Sequence, residues 1–407
     1  MQYLIIGGSI AGISAARAIR NADLNAEITV VSGEKVKAYY RPIIPLLINR
    51  HKSEVDILYP DDPIEKYSAN VIYEMVTGVD VQSKEVLLSS GRKIGFDRLL
   101  IATGGVPIIP DIPGIKGQGV FTLRTMEDAI RIRDAISDVK EAVVIGGGFV
   151  GIKAAMALKS LLDVTIIEKL QQILYQRLDS KGAEIIQNAL KNEGIKILTN
   201  ETIVEIIREA ARIKALRLVS GNIINSDMVI VAIGVRPDID IFKDSGIKIS
   251  KGIQVNELLQ TNISDIYAAG DVVEFKELLT GRPSVSGLWV NAMEMGRIAG
   301  MNMAGANIRY PGFLAVMNAT EIADIPIVAV GIIEPKAGEY KTVTEDSTGS
   351  YKKFVFKDDL LVGALFIGDI KNAGIYTNLI KNQIPIRRMK ERIIKGTISY
   401  VDFLKKI

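Results

Sequence analysis

The segment Tyr3-Leu-Ile-Ile-Gly-Gly-Ser-Ile-Ala-Gly12 is an apolar run that ends in closely spaced glycines. An Ala-rich segment follows it, and then a second apolar run, Ile28-Thr-Val-Val31. The same pattern returns at Val143-Val-Ile-Gly-Gly-Gly-Phe-Val-Gly151, again with an Ala-rich segment and the run Val164-Thr-Ile-Ile167 behind it. Each copy predicts a strand, a glycine turn, a helix and a second strand. Two such βαβ units predict two bound dinucleotides.

The glycine spacing has a direct chemical reason. Backbone N–H groups at a helix N-terminus bind a pyrophosphate, and a side chain at the turn would block its approach. Gly146, Gly148 and Gly151 give the complete G-x-G-x-x-G spacing, whereas the first copy has Ser9 at the middle position between Gly7 and Gly12. One short motif is weak evidence, but two copies in the correct strand and helix context are specific.

An acidic residue ends the second unit. Glu168 directly follows the apolar run of that unit, where a carboxylate accepts hydrogen bonds from the adenosine ribose of NADH. Its negative charge would repel the 2′-phosphate of NADPH, so the sequence predicts a preference for NADH. The neighbouring Lys169 leaves the strictness of that preference open.

Composition excludes several kinds of chemistry. The chain has 407 residues, no cysteine and one histidine, His51. Disulfides, thiolate or iron–sulfur sites, histidine metal sites and a Ser-His-Asp triad are therefore not expected. A net charge of +3 gives no overall bias toward nucleic acid, and no apolar run is long enough to span a bilayer. We expect no metal site, no nucleic-acid partner and a cytoplasmic location. The oligomeric state stays open.

Five motifs occur in an order typical of one family. They are the first glycine turn, Ala102-Thr-Gly-Gly105, the second glycine turn, Ala232-Ile-Gly-Val-Arg-Pro237 and Tyr267-Ala-Ala-Gly-Asp-Val272. This order resembles the FAD-dependent pyridine nucleotide-disulfide oxidoreductase superfamily, in its NADH oxidase, NADH:rubredoxin reductase and ferredoxin reductase branch. The resemblance covers essentially the whole chain.

The resemblance implies an α/β fold with two Rossmann-like domains and a small C-terminal α+β domain. The FAD domain would comprise residues 1–110 and 240–315, the NAD domain 111–239 and the C-terminal domain 316–407. Pro- and Gly-rich crossings and short strand-like runs such as Lys352-Lys-Phe-Val-Phe356 agree with these boundaries.

It also implies two sets of cofactor-binding residues. Around FAD, the family pattern places Glu34 near the adenosine ribose, Val79 against the adenine, and Arg41 and Pro42 in the segment beside the flavin. It assigns Asp271 to the ribityl chain. The remaining contacts, to the pyrophosphate and from the second and last FAD motifs, fall on Gly7, Gly8, Ser9, Ile10, Ala11, Gly12, Ala102, Thr103, Gly104 and Gly270. Around NADH, it assigns contacts to Gly146, Gly148, Phe149, Val150, Gly151, Glu168 and Gly234.

Two departures from the family pattern concern the redox centre. Where disulfide reductases and many NADH oxidases carry a reactive cysteine, residues 41–47 contain none, so the flavin must be the redox centre. Ferredoxin reductase-like members pair a lysine near flavin N5 with a glutamate. In this chain Leu46 occupies the position of the lysine, and Lys153 occupies the position of the glutamate. We predict that Lys153 either supplies the positive charge near the flavin or faces solvent.

Trp289 lies in a Trp-x-x-Ala-x-x-x-Gly stretch that resembles ferredoxin reductases near the flavin; the alternative is a core tryptophan. We predict electron flow from NADH through FAD to a small rubredoxin- or ferredoxin-type protein. The alternatives are a peroxide-forming NADH oxidase, or a binding subunit or sensor without turnover.

Apolar residues at helical spacing in the basic segment 386–395 predict an amphipathic helix, which is either structural or a docking patch for an acidic carrier.

Overall fold

The structure is a computed structural model that describes residues 1–336, 338–386, 389–399 and 401–404. The chain forms two compact units. The first comprises Met1–Ile44, Lys52–Pro107 and Val235–Phe313. Within the described residues, the second comprises Pro45–His51, Ile108–Gly234 and the chain from Leu314. The predicted division of the second unit into an NAD domain and a C-terminal domain stays a prediction, as do the exact boundaries.

The elements of residues 1–107 alternate short strands with few helices. They are β1 (Gln2–Ile6), α1 (Ile10–Ala22), β2 (Glu27–Val31), α2 (Pro45–Ile48), α3 (Pro63–Lys66), β3 (Asn70–Ile72), β4 (Val76–Asp80), β5 (Glu85–Leu88), β6 (Lys93–Gly95), β7 (Arg98–Ile101) and β8 (Gly105–Pro107). Residues 108–234 follow with β9 (Val120–Thr122), α4 (Met126–Ala135), β10 (Glu141–Ile145), α5 (Phe149–Leu158), β11 (Asp163–Glu168), α6 (Ser180–Asn192), β12 (Lys196–Thr199), β13 (Ile203–Glu209), β14 (Arg212–Leu218), β15 (Ile223–Asn225) and β16 (Met228–Val231).

The remaining elements complete the first unit and then add a sheet. Residues 235–313 contain β17 (Val235–Pro237), β18 (Ile253–Gln254), β19 (Ile266–Ala268), β20 (Val273–Lys276), β21 (Pro283–Val285) and α7 (Trp289–Met303). The chain then forms β22 (Met317–Ile322), β23 (Ile325–Gly331), β24 (Lys341–Ser347), β25 (Ser350–Lys357), β26 (Leu360–Ile367), α8 (Ala373–Lys381), α9 (Lys390–Ile394) and α10 (Val401–Leu404).

A parallel five-stranded sheet in the order β3-β2-β1-β7-β19 forms the centre of the first unit. β1 and β7 are almost entirely apolar and buried, and they share one core with residues of α1, α7 and the antiparallel strands β4 and β5. α7 crosses α1 closely: a Cβ added to Gly296 would lie 2.1 Å from the Ala11 carbonyl oxygen. Glycine at this crossing therefore brings the two helices into backbone contact.

The second unit contains an equivalent sheet in the order β12-β11-β10-β16-β9. In each sheet the strand before the glycine turn, β1 or β10, is central, and the strand after the following helix, β2 or β11, pairs with it. The two sheets differ in the chain position of one edge strand: β9 precedes the second glycine turn in sequence, whereas β19 follows the first. The repeat of strand, glycine turn, helix and strand is present in both units. The prediction of two Rossmann-like units from the repeated glycine pattern is confirmed.

An antiparallel sheet in the order β22-β23-β26-β25-β24 makes up the C-terminal part of the second unit. α8 packs on it through Tyr376, whose ring centroid lies 5.4 Å from that of Phe354 and 5.0 Å from that of Phe366. This part has the predicted α+β character. Among the described residues, no helix combines the length and hydrophobicity that crossing a bilayer requires.

Candidate functional site

The first glycine turn joins β1 to α1 and depends on close backbone contacts. Gly7 has φ +117°, and a Cβ there would lie 2.1 Å from the Ala102 carbonyl oxygen. A Cβ on Gly12 would lie 2.0 Å from the carbonyl oxygen of Gly7. Both positions therefore require glycine, because backbone atoms cannot move aside as a flexible side chain could. The turn and the Ala102-Thr-Gly-Gly105 motif are packed together by these contacts.

The middle position of the motif is different, which explains the serine in the first copy. Gly148, the N-cap of α5, has φ −81°, and a Cβ there would meet no atom within 4 Å. Ser9 caps α1 with a similar φ of −94° and makes no side-chain capping bond. The backbone thus accepts a small side chain, and the adjacent space is open. Since neither helix has an acidic residue in its first turn, both N-termini suit a pyrophosphate.

Three side chains meet beyond β2. Tyr39 donates a 2.6 Å hydrogen bond from its hydroxyl to Glu34, and Arg41 pairs with the other oxygen of the same carboxylate. The Arg41 guanidinium lies 5.0 Å from the centre of the Tyr39 ring. Burial lowers the pKa of Arg41, but Tyr39, Glu34 and Asp271 outweigh it and raise the pKa overall. Glu34 and Arg41, predicted at separate parts of FAD, therefore form one ion pair.

The Ala102-Thr-Gly-Gly105 motif is joined to the residues after Gly234. β8 pairs with β17 in antiparallel register, and the Thr103 hydroxyl donates a 2.8 Å bond to the Asp238 carbonyl oxygen. The Asp238 amide donates to the Gly104 carbonyl oxygen at 3.0 Å. Burial, assisted by Asp240, raises the pKa of the Asp238 carboxyl, and Arg236 opposes the rise. Sequence reasoning missed Asp238, although it directly follows the Gly-Val-Arg-Pro motif.

The Ala-Gly-Asp motif also comes to the first glycine turn. Gly270 has φ +84°, and a Cβ there would lie 3.2 Å from the Ala11 side chain. Asp271 follows and is half-buried. Val79, on β4, packs against the core of the first unit. Trp289 is the first residue of α7 and is also only partly buried, which differs from the alternative of a core tryptophan.

The second glycine turn repeats these contacts. Gly146 has φ +107°, and a Cβ on Gly151 would lie 2.0 Å from the Gly146 carbonyl oxygen. Glu168, at the end of β11, accepts hydrogen bonds from the Gly147 amide at 2.7 Å and the Leu170 amide at 2.8 Å. The carboxylate is therefore fixed beside the turn. The remaining predicted residues of this site are a partly buried Phe149, an exposed Val150 and Gly234 with φ +112°.

Lys153 neither faces solvent freely nor is fully buried. Its ammonium donates a 2.5 Å hydrogen bond to the Glu321 carbonyl oxygen on β22. Burial lowers the pKa of Lys153, and the Glu321 carboxylate opposes that shift. Leu46, on α2, is partly buried in the same unit. A role for Lys153 near the flavin stays a prediction, and the structure adds a contact that holds β22 to α5.

The described residues of the basic C-terminal segment are only partly α-helical. Arg387 and Arg388 lie outside the described residues, and α9 covers Lys390–Ile394. Ile386 and Ile393 are buried, as the apolar spacing predicts. Arg392 makes two hydrogen bonds to Asp402, at 2.8 and 2.9 Å, so its charge is already paired within the segment. Docking of an acidic carrier here stays a prediction.

Comparison with known proteins identifies the class. Residues 1–296 match the pyridine nucleotide-disulphide oxidoreductase family, and residues 317–384 match the rubredoxin NAD+ reductase C-terminal domain. The chain belongs to the pyridine nucleotide-disulphide oxidoreductase family. The family predicted from the order of the five motifs is therefore confirmed.

Three relatives give the more particular similarities. The chain is 37% identical to an NADH oxidase of Methanocaldococcus jannaschii, over 82% of this chain and 76% of that protein. It is 33% identical to the NADH-rubredoxin oxidoreductase of Clostridium acetobutylicum, over 91% of each chain. A crystal structure of NADH:rubredoxin oxidoreductase from that organism matches with a TM-score of 0.77 and 31% identity, over 95% of this chain and 96% of the other. The chain is also 30% identical to the epsilon subunit of NADH-dependent phenylglyoxylate dehydrogenase from Aromatoleum evansii, over 98% of this chain and 96% of the subunit.

Proposed function

We propose that this protein is an FAD-dependent NADH oxidoreductase that passes electrons from NADH through FAD to a small redox protein. One observation carries the proposal: each unit holds a glycine turn at an acid-free helix N-terminus, and a C-terminal domain of the rubredoxin reductase kind follows them. The NADH-rubredoxin oxidoreductase relative supports the same acceptor class.

The first unit would hold FAD. The amides at the N-terminus of α1 would bind the pyrophosphate, and the Glu34–Arg41 pair would place a carboxylate and a guanidinium at the end of β2. Thr103, Gly104 and Asp271 would complete the contacts from the two motifs that pack against this turn. Bound FAD supplies the chemistry that the side chains lack, because it accepts two electrons together and releases them singly.

The second unit would hold NADH. Helix α5 presents its N-terminal amides, and Gly148 leaves open space in front of them for a pyrophosphate. Glu168 would accept hydrogen bonds from the adenosine ribose hydroxyls, since its two amide donors leave further lone pairs on the carboxylate. We propose that two residues, Lys153 and Trp289, affect the hydride transfer itself. Lys153 would act through its positive charge.

Replacing Lys153 by alanine is expected to slow flavin reduction by NADH about tenfold, which is less than the roughly hundredfold loss for a preorganised donor that contacts the developing charge directly. The change also removes the hydrogen bond to Glu321, so Lys153→Arg, which retains a cation and a donor, is the matched control. Stopped-flow absorbance at saturating NADH measures the rate. Equal reduction rates in the alanine variant and the wild type would show that Lys153 serves only to hold β22 to α5.

Thiol-alkylating reagents are expected to leave turnover unchanged, because the chain has no cysteine to modify. The measurement compares NADH-dependent acceptor reduction before and after treatment with excess iodoacetamide, which is then removed. A cysteine-dependent member of the same family, treated in parallel, controls for reagent potency. Loss of activity would show that the measured turnover depends on a thiol of a contaminating or partner protein.

A second candidate function has its own support. The relative from Aromatoleum evansii, similar over almost its full length, is the epsilon subunit of an NADH-dependent dehydrogenase. On that basis this chain would exchange electrons with partner subunits, and a free carrier would not be its acceptor. The NADH oxidase relative favours oxygen as a third acceptor.

Steady-state turnover with NADH and either a rubredoxin, a ferredoxin, a quinone or oxygen separates these possibilities. The proposed function predicts many turnovers with a small iron–sulfur or rubredoxin-type carrier and slower peroxide formation with oxygen. Rapid flavin reduction without turnover on any of the four acceptors would favour the subunit function. Oxygen as the fastest acceptor would favour the oxidase.

A further inference from the structure

A buried ionic cluster in the second unit joins the antiparallel sheet to α6. Asp179 and Lys353 are 6% and 8% exposed, and the Lys353 ammonium lies 3.0 Å from Oδ2 of Asp179. The hydroxyl of buried Tyr351 donates to the same oxygen at 2.6 Å. Glu334, which is more exposed, lies 3.4 Å from Lys353. Burial and the Asp179 carboxylate raise the pKa of Tyr351, so it remains a hydrogen-bond donor.

Asp179 also fixes the start of α6. Its Oδ1 accepts a 2.9 Å hydrogen bond from the Gly182 amide and so caps the helix. A Cβ on Gly182 would lie 3.0 Å from the Ile367 side chain on β26, so the first turn of α6 packs directly on the sheet. Both oxygens of one buried carboxylate are therefore engaged, one by α6 and the other by β25.

The residues just before Asp179 form a loop against the proposed coenzyme site. We name residues 169–178 the coenzyme loop, because they connect Glu168, which lies in the proposed NADH site, to Asp179. The Leu174 amide donates to the Gly147 carbonyl oxygen at 2.9 Å, and Leu174 has a strained φ of +51°. Gln172 donates from its side-chain amide to the Leu178 carbonyl oxygen at 3.0 Å and is buried.

This loop contains no helix or strand, so contacts with its neighbours determine its position. Within the loop, the Ile173 amide donates to Oε1 of Gln187 on α6 at 3.3 Å, and the Leu170 carbonyl oxygen accepts from the Asn200 amide at 3.0 Å. Two further attachments connect it to its flanking residues. At one end, the Glu168 carboxylate and the Gly147 backbone hold it to the second glycine turn. At the other end, Asp179 holds it to β25 through Tyr351 and Lys353. Removing the lysine would leave a buried carboxylate without a counter-charge, and the chain around it would shift to gain water or a proton.

We propose that Lys353 and Tyr351 are positioning residues for NADH binding, acting through Asp179 on the coenzyme loop beside Glu168 and Gly147. The inference rests on the proposed binding of NADH at the second glycine turn. It gives the C-terminal sheet a part in coenzyme affinity. Neither residue is proposed to touch the coenzyme.

The chain offers a matched control on the same strand. Lys352 is the neighbour of Lys353 and also forms an ion pair, at 2.6 Å with Asp369. Because successive side chains on a strand point to opposite faces, Lys352 leads away from Asp179. Lys353→Met and Lys352→Met each remove one paired lysine from β25, but only Lys353→Met disturbs the carboxylate that anchors the loop.

Calorimetric titration of the FAD-loaded proteins with NAD+ tests the proposal, since NAD+ reports binding without electron transfer. Lys353→Met should raise the Kd for NAD+ about tenfold, a loss of only about 1.4 kcal/mol. Tyr351→Phe should raise it less, Lys353→Arg should restore most of the affinity, and Lys352→Met should leave it within about twofold. Turnover at saturating NADH should stay at the wild-type rate, so that KM changes and kcat does not.

Equal Kd values for Lys353→Met and Lys352→Met would overturn the proposal and leave the cluster a purely structural contact. If Lys353→Met does not fold, Tyr351→Phe decides in the same way, because it deletes one hydroxyl without unpairing the ions. A wild-type protein that does not bind NAD+ would overturn the coenzyme assignment itself. Wild-type binding with unchanged variants would overturn this inference alone.

Discussion

Gly12→Ala is expected to yield protein with less than about a tenth of the wild-type FAD content. An alanine in a helix ordinarily stabilises it by about 1 kcal/mol relative to glycine. Here the added Cβ would lie 2.0 Å from the carbonyl oxygen of Gly7, and overpacking against a fixed backbone costs about 1–3 kcal/mol or more. The steric cost exceeds the gain in helix propensity, so the turn must open. A tenfold loss of FAD affinity requires a change of only about 1.4 kcal/mol in the binding free energy.

FAD released by denaturation, measured against protein concentration, checks this expectation. Gly78→Ala is the matched control, because it lies in the same unit at a position where a Cβ meets nothing within 4 Å. The control should retain its full yellow colour. A Gly12→Ala protein that binds FAD normally would contradict the assignment of this turn to the pyrophosphate.

Glu168→Ala is expected to lower kcat/KM for NADH about a hundredfold and to narrow the preference over NADPH. Two effects combine. The ribose hydroxyls lose a charged acceptor, which contributes about 1.5–3 kcal/mol, and the Gly147 and Leu170 amides lose their partner. Meanwhile the repulsion of a 2′-phosphate disappears, so NADPH is penalised less than before.

Glu168→Gln separates these two effects. Glutamine keeps an acceptor oxygen for the amides but removes the charge, so it should lose less NADH activity than alanine while gaining a similar tolerance of NADPH. Steady-state kcat/KM with both coenzymes for the three proteins gives the comparison. A wild type that already prefers NADPH, or an unchanged coenzyme ratio in both variants, would contradict the role of Glu168.

The sequence predicted the parts of the site that depend on local pattern. The glycine turns could be recognised because a φ of +117° and +107° favours glycine at Gly7 and Gly146, and a Cβ at Gly12 or Gly151 would lie 2.0 Å from a carbonyl oxygen. The flanking strands followed from short apolar runs, which are typical of buried strands in a parallel sheet. Ser9 departs from the motif only because the motif requires glycine equally at all three positions. A Cβ has no room at the first and last of them but has room at the middle one.

The sequence did not predict contacts between side chains that are far apart or that compete for one partner. Glu34 and Arg41 were assigned to different parts of FAD, yet they bind each other. Lys153 finds a carbonyl oxygen on β22, and Asp179 finds Lys353 on β25, more than 150 residues further along the chain in each case. Such pairings depend on how the C-terminal sheet packs, which no local periodicity encodes.

The most direct test of the central claim is a single-turnover experiment without oxygen. The purified protein is mixed with one equivalent of NADH, and its flavin absorbance is followed before a rubredoxin-type carrier is added. The account predicts rapid bleaching of bound FAD and then full recovery of the absorbance as two equivalents of the one-electron carrier are reduced. Flavin that stays oxidised in excess NADH, or that stays reduced in excess carrier, would contradict it.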